Sequence, residues 1–129
     1  MKTVTMLTLL AALHAVESGS GTDPKCGGNE YQITRRCVDD VNRILKIRGA
    51  DWQYCHKDVY DPVKSRGIAI IHMSHYGELY RRRTGREPTA RTYALIFHLG
   101  YRGMLDGRNR SRGDAYWRKV RDKMKEGEK

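Results

Sequence analysis

Glu17 is the residue whose position could support acid chemistry. An apolar segment with helical spacing precedes it, and Ser18 and Gly19 lead into a glycine-rich loop. Glu17 is therefore expected at the C-terminal end of a helix, where the dipole and partial burial both disfavour negative charge. These conditions favour the protonated carboxyl that a general acid requires. The competing interpretation is an exposed Glu at a helix end, which is the commoner situation.

The spacing of apolar residues predicts helices throughout the chain, with a negligible strand signal. The fold class is therefore predicted to be all-α, with five or six helices. Asp61 and Pro62 are expected to start the third helix, and Asp114 to cap the last one after a loop over residues 100–113. The other helices are expected over about residues 4–18, 34–47 and 88–100, and the third is expected to end near residue 82.

Two of these helices carry apolar stripes that are expected to form the core. The stripe of helix two is Val38, Val41, Ile44 and Leu45. The stripe of helix three is Val63, Ile70, Ile71, Ser74 and Leu79.

Length and charge limit the function classes. The chain has 129 residues and a formal net charge of +10, so we expect one domain over residues 1–129. Residues 1–80 hold 10 Lys and Arg against 9 Asp and Glu, whereas residues 81–129 hold 15 against 6. The net charges are thus +1 and +9, the latter including a basic tail over about residues 122–129. Such a field attracts anionic partners.

The N-terminal apolar segment is too short to cross a bilayer, which takes roughly 20 apolar residues. A signal peptide cut after Ala15 would have Leu13 three residues before the cut, where a small residue is usual. We therefore expect a first helix without a convincing signal peptide.

Three cysteines, Cys26, Cys37 and Cys55, form no CxxC pair, which argues against a zinc site. A Cys26–Cys37 bridge requires an oxidising compartment. His72 and His75 share a helix face but have no evident third ligand. The sequence therefore predicts neither a metal nor a cofactor.

Several short motifs occur in an informative order. They are "AVESG", "YQI", "VDDVNRIL", "YDPVKS", "GREPT" and "YWRKVR". Together they resemble the lysozyme-like lytic transglycosylases, and the resemblance covers about residues 9–120. It implies a lysozyme-like fold around a substrate cleft, with the glycan strands of peptidoglycan as the substrate. By position, Glu17 would be the acid that protonates the glycosidic oxygen.

The resemblance also implies substrate-binding residues. Tyr31, Gln32 and Ile33 would line the cleft beside the acid. Tyr93 could stack on a sugar ring, and His98 could hydrogen-bond a sugar hydroxyl. The chain departs from the family pattern at two places. Asn29 and Glu30 replace the small residue that usually precedes "YQI", and residues 98–100 read His-Leu-Gly where relatives have Asn-Gly-Gly.

A second carboxylate would distinguish two mechanisms. Most glycosidases use two carboxylates, whereas the family resembles a variant in which one carboxylate acts as both acid and base. Asp23 and Glu30 are the candidates for a second carboxylate, although each is also explained as a solvated turn residue. Asp39 and Asp40 are expected to serve the first turn of helix two.

Two alternatives remain open at this stage. A nucleic-acid-binding helical domain would explain the basic C-terminal part, but nothing there resembles a recognition helix and the "ES…YQI" element has no role in it. A non-catalytic wall-binding or structural protein would explain the motif departures. A monomeric wall-degrading enzyme, such as a phage lysin or a virion-associated protein, explains both the charge and the motifs.

Overall fold

The structure is a computed structural model that describes residues 3–19 and 29–127. It contains five α-helices in that part of the chain, and no strand. The helices are α1 (Thr3–Gly19), α2 (Arg35–Ile47), α3 (Pro62–Thr84), α4 (Ala90–Leu105) and α5 (Arg110–Gly127). Two short 3-10 helices cover His56–Tyr60 and Gly107–Asn109. The prediction of an all-α fold is confirmed, and within the described ranges no helix could span a membrane.

Side-chain caps explain where three of these helices begin. The Thr34 hydroxyl accepts a hydrogen bond from the Cys37 N–H at the start of α2, and Asp61 accepts from the amides of residues 63 and 64 at the start of α3. Thr89 caps α4 in the same way. Such caps satisfy amides that have no partner within the helix. At its other end, α3 stops at Gly85, whose φ of 73° favours glycine.

The expected loop over residues 100–113 is wrong. Gly100 leaves the helical conformation, with φ 75° and ψ 165°, but α4 resumes after it and continues to Leu105. Helix α5 then begins at Arg110 rather than at Asp114, whose carboxylate instead pairs with Arg91 of α4. Gly100 therefore changes the direction of α4, although this glycine was expected to end the helix. Helix α5 also extends through the expected tail as far as Gly127, and its last turns are mostly exposed.

The core lies where α1 packs against α4 and α5, and where α3 packs against α2 and α4. All four predicted core residues of α2 are buried, as are Leu9, Leu10 and Leu13 of α1. The predicted stripe of α3 is wrong at Val63, which is 73% exposed, and only partly right elsewhere. Ile70 and Ile71 are partly buried and pack against the core, and Ser74 and Leu79 are also only partly buried. The buried face of α3 is Ser65, Ile68, Ala69, His72, Met73 and Gly77. The buried face differs from the predicted stripe because α3 packs against both α2 and α4.

The contact between α3 and α4 depends on a glycine. A Cβ atom added at Gly77 would lie 2.5 Å from Cε1 of Tyr93, which is well inside van der Waals contact. Burial also raises the pKa of Tyr93, with smaller contributions from Glu87 and Glu78. The Tyr93 ring therefore packs against the Gly77 backbone.

We predict that Gly77→Ala destabilises the fold. The added methyl group must displace a packed aromatic ring, and such overpacking costs about 1–3 kcal/mol. Gly107→Ala is the control, because a Cβ there meets nothing within 4 Å. Urea unfolding of both variants measures the difference, and equal midpoints would contradict the close approach of α3 and α4.

Candidate functional site

An open cleft of about 1340 Å³ lies among the end of α1, residues 31–34, α2, α3 and α4. Five predicted site residues line it: Glu17, Tyr31, Gln32, Ile33 and His98. Two further predicted site residues, Tyr93 and Glu30, do not line it. Tyr93 packs against Gly77, and the exposed carboxylate of Glu30 pairs with His14, so neither lines the cleft. Asp23 lies outside the described residues.

Glu17 is held near the end of α1 by a residue of the last helix. Its side chain is 13% exposed, and its Oε1 accepts a hydrogen bond of 2.8 Å from the Tyr116 hydroxyl. Burial, together with the neighbouring Glu17, raises the pKa of Tyr116. Tyr116 therefore remains a protonated donor across the ordinary pH range, and it fixes one oxygen of the carboxyl group.

His98 completes this arrangement around Glu17. Its ring stacks on the ring of Tyr116, with centroids 3.8 Å apart and planes 7° apart. Its Nδ1 lies 3.8 Å from Oε1 of Glu17, which is too long for a direct hydrogen bond. Stacking therefore fixes the imidazole at the cleft surface, where its nitrogens can bind a ligand hydroxyl.

A tight turn connects the cleft to the end of α1. Gln32 has a φ of 53°, and its side chain donates a 2.8 Å hydrogen bond to the backbone oxygen of Glu17. Asn29 spans the turn, since its side chain donates to the Ile33 carbonyl and accepts from the Ile33 N–H. Asn29, one of the departures from the family pattern, thus has a structural role here.

Tyr31 is packed inside the wall of the cleft and presents little surface to a ligand. It is 5% exposed and makes edge-to-face contacts with His14 and Phe97. Burial raises the pKa of Tyr31, although Arg66 opposes this effect. The ring therefore fills the space between α1 and α4.

The sequence interpretation missed a polar cluster on the α2–α3 wall of the cleft. Tyr76 and Arg43 both donate hydrogen bonds to the Asp40 carboxylate. The ring of Tyr76 contacts the rings of His72, His75 and Tyr101. The expected role of Asp39 and Asp40 in the first turn is wrong, because α2 begins at residue 35 and both lie beyond it. The helical spacing of residues 36, 40 and 43 was a usable signal for this wall.

Charge in this cluster is set by burial and hydrogen bonding together. Burial opposes ionisation of Asp40, but the hydrogen bonds from Tyr76 and Arg43 outweigh it, so the pKa of Asp40 lies below its ordinary value. Burial lowers the pKa of His72. Asp40 is therefore an anion and His72 is neutral at pH 7.

The cysteine and histidine groups of the described chain do not form a metal site. No group of three His, Cys, Asp or Glu residues within the described ranges could hold a metal ion. Burial and the nearby Asp40 raise the pKa of Cys37 to about 12, which keeps this thiol protonated and poorly nucleophilic. Cys37 is a free thiol in the structure, and Cys26, its predicted partner, lies outside the described residues.

Comparison with known proteins gives no match to a family model, a curated protein or a solved structure. The resemblance to lytic transglycosylases therefore rests on the motifs alone. A proposal of function therefore depends on those motifs and on the geometry of the cleft.

We predict that Asp40→Asn destabilises the protein by about 1–2 kcal/mol at pH 7, because it weakens two hydrogen bonds to a charged acceptor. A carboxyl with a lowered folded-state pKa stabilises the fold above its unfolded pKa, and this contribution is lost as the pH falls through the folded value. The gap between wild type and variant should therefore close below about pH 4.

Asp39→Asn is the matched control for this prediction. The Asp39 side chain is 65% exposed and pairs with His56 at the surface, so we expect an effect within about 0.5 kcal/mol. Urea unfolding at several pH values measures both variants. A constant gap for Asp40→Asn between pH 7 and pH 3 would contradict the ionised state of Asp40.

Proposed function

We propose that this protein cleaves the glycan strands of peptidoglycan, with Glu17 as the general acid and then the general base. The observation that carries the proposal is the carboxyl group of Glu17, which is mostly buried, borders an open cleft and is held by Tyr116. A glycosidic oxygen needs a proton donor of this kind as its bond breaks. The motif resemblance points to the same residue.

A mechanism with one carboxylate fits the arrangement better than one with two. Glu30 is turned toward His14 and does not line the cleft. Asp39 and Asp40 line it, but Asp39 pairs with His56 and Asp40 accepts from Tyr76 and Arg43. Among the described residues, each other carboxylate of the cleft is therefore engaged. This favours a lytic transglycosylase over a hydrolase.

The proposed reaction has two steps. Glu17 first donates its proton to the leaving glycosidic oxygen while positive charge develops at the anomeric carbon. The Glu17 carboxylate then takes the proton from the 6-hydroxyl of the muramic acid, whose oxygen bonds to the anomeric carbon. The product is an anhydro sugar, and Glu17 is protonated again. The Tyr116 hydrogen bond fixes Oε1, and His98 is placed to bind a sugar hydroxyl.

We predict that Glu17→Gln abolishes cleavage of purified peptidoglycan, because an amide cannot transfer the proton. Loss of a general acid lowers the rate by about 100-fold or more. Glu30→Gln is the control and should keep its activity. Release of soluble fragments gives the rate, and their mass distinguishes an anhydro end from a reducing end.

Other outcomes identify the competing functions. Equal activity of wild type and Glu17→Gln would exclude Glu17 as the acid. Binding to the wall without cleavage would favour a non-catalytic wall-binding protein. Salt-sensitive DNA binding without wall cleavage would favour a nucleic-acid-binding domain.

We predict that Tyr116→Phe lowers kcat about tenfold or more and leaves KM nearly unchanged. The variant removes one hydrogen bond to a carboxyl group and keeps the ring that stacks on His98. Tyr116 is thus a positioning residue. Steady-state kinetics on soluble glycan fragments measure both constants, and a change confined to KM would indicate a role in substrate binding instead.

A further inference from the structure

Three arginines of the cleft have no carboxylate partner among the described residues. Arg36, Arg83 and Arg102 lie on α2, α3 and α4, and all three are exposed and line the cleft. The run of three arginines at the end of α3 illustrates the contrast. Arg81 and Arg82 both pair with Glu78, whereas Arg83 lies in the cleft without an acidic partner. The dipole of α3 favours cations throughout its last turn, so it does not explain why Arg83 differs from Arg81 and Arg82.

Helical spacing places these arginines on the cleft-facing sides of their helices. On α3, residues 72, 76, 79 and 83 all line the cleft, and they follow one face of the helix. On α2, Arg36 shares a face with Asp40 and Arg43, which also line it. The arginines are thus part of the cleft and not of the general basic surface.

The carboxylates of the cleft do not neutralise these arginines. Asp40 pairs with Arg43, Asp39 pairs with His56, and Glu17 accepts from Tyr116. The guanidinium groups of Arg36, Arg83 and Arg102 therefore form no ion pair among the described residues and can receive an anionic ligand. A planar guanidinium binds carboxylate or phosphate through two parallel hydrogen bonds.

We infer that Arg36, Arg83 and Arg102 bind acidic groups attached to the glycan and thereby select substituted strands over neutral ones. The inference rests on the proposed function, because it assumes that the glycan occupies this cleft. Two sources supply the same anionic chemistry: the carboxylates of stem peptides and the phosphates of attached wall polymers. An uncharged N-acetylglucosamine polymer would lack both.

The test uses a full-length triple variant, Arg36→Gln with Arg83→Gln and Arg102→Gln. Exposed ion pairs are each worth about two- to fivefold in affinity, so the triple variant should bind purified cell walls on the order of tenfold more weakly. Cosedimentation measures this binding without requiring cleavage. The loss should shrink at high salt, because salt screens exposed charges.

Two further triple variants are the matched controls. Replacing the exposed Arg86, Arg112 and Arg118 by Gln removes the same charge outside the cleft lining, and binding should fall much less. Replacing the three cleft arginines by Lys keeps the charge but not the paired hydrogen bonds, and should restore only part of the binding. Equal losses in the cleft and surface variants would overturn the inference, because net charge alone would then explain binding.

Binding to cell walls from which one kind of acidic group has been removed distinguishes the two sources of negative charge. If stem peptides are the ligands, removing them should bring the wild type and the cleft variant to similar affinity, whereas removing phosphate polymers should not. The reverse pattern would identify phosphate and still support the inference. A preference that persists on neutral glycan would overturn it, as would a loss of DNA binding without a loss of wall binding.

The inference and the proposed function fail in different ways. Wall binding that depends on the three arginines, together with cleavage that does not depend on Glu17, would exclude the catalytic proposal alone. Cleavage that depends on Glu17, together with binding and KM values that the cleft variant leaves unchanged, would exclude the inference alone.

Discussion

The hydrogen bond between Tyr116 and Glu17 joins the first and last helices across 99 positions of sequence. It forms only if α1 is docked on α5, which the apolar face of α1 achieves by burying Leu9, Leu10 and Leu13. One hydrogen bond contributes a net of about 0.5–1.5 kcal/mol, whereas full burial of each of those three leucines contributes about 1.5–3 kcal/mol. Apolar packing therefore determines the position of Glu17, and the hydrogen bond then selects the orientation of its carboxyl group.

Local signals were sufficient to predict most of the fold. The starts of α2 and α3 follow from Thr34 and Asp61, whose side chains accept from nearby amides, and the apolar spacing of α2 identifies its buried face. The predictions were wrong where distant contacts decide the outcome. Gly100 redirects α4 without ending it, and contacts with α2 and α4 together determine which face of α3 is buried. Neither effect is visible in a short segment of sequence.

Within the candidate site, too, the sequence predicted residues with local signals and missed residues that depend on distant contacts. The family resemblance indicated Glu17, Gln32 and His98, all of which line the cleft. It gave no reason to select Tyr76 or Tyr116, because their importance arises from partners 36 and 99 residues away. Asp40 was misassigned for a related reason: a carboxylate near a helix start has a sufficient local explanation, so nothing in the sequence suggested a partner on α3.

Placement of charge is more informative than its total. Counting by segment assigns nearly all of the positive charge to residues 81–129, yet several arginines there are neutralised locally, as Arg91 is by Asp114 and Arg108 by Asp106. One of the three cleft arginines without an acidic partner, Arg36, belongs to the segment whose net charge is only +1. Because the force on a ligand depends on nearby unneutralised charge, the cleft field is determined by which side chains find carboxylates. The fold determines which charged side chains pair, and this pairing cannot be read from the net charge of the sequence.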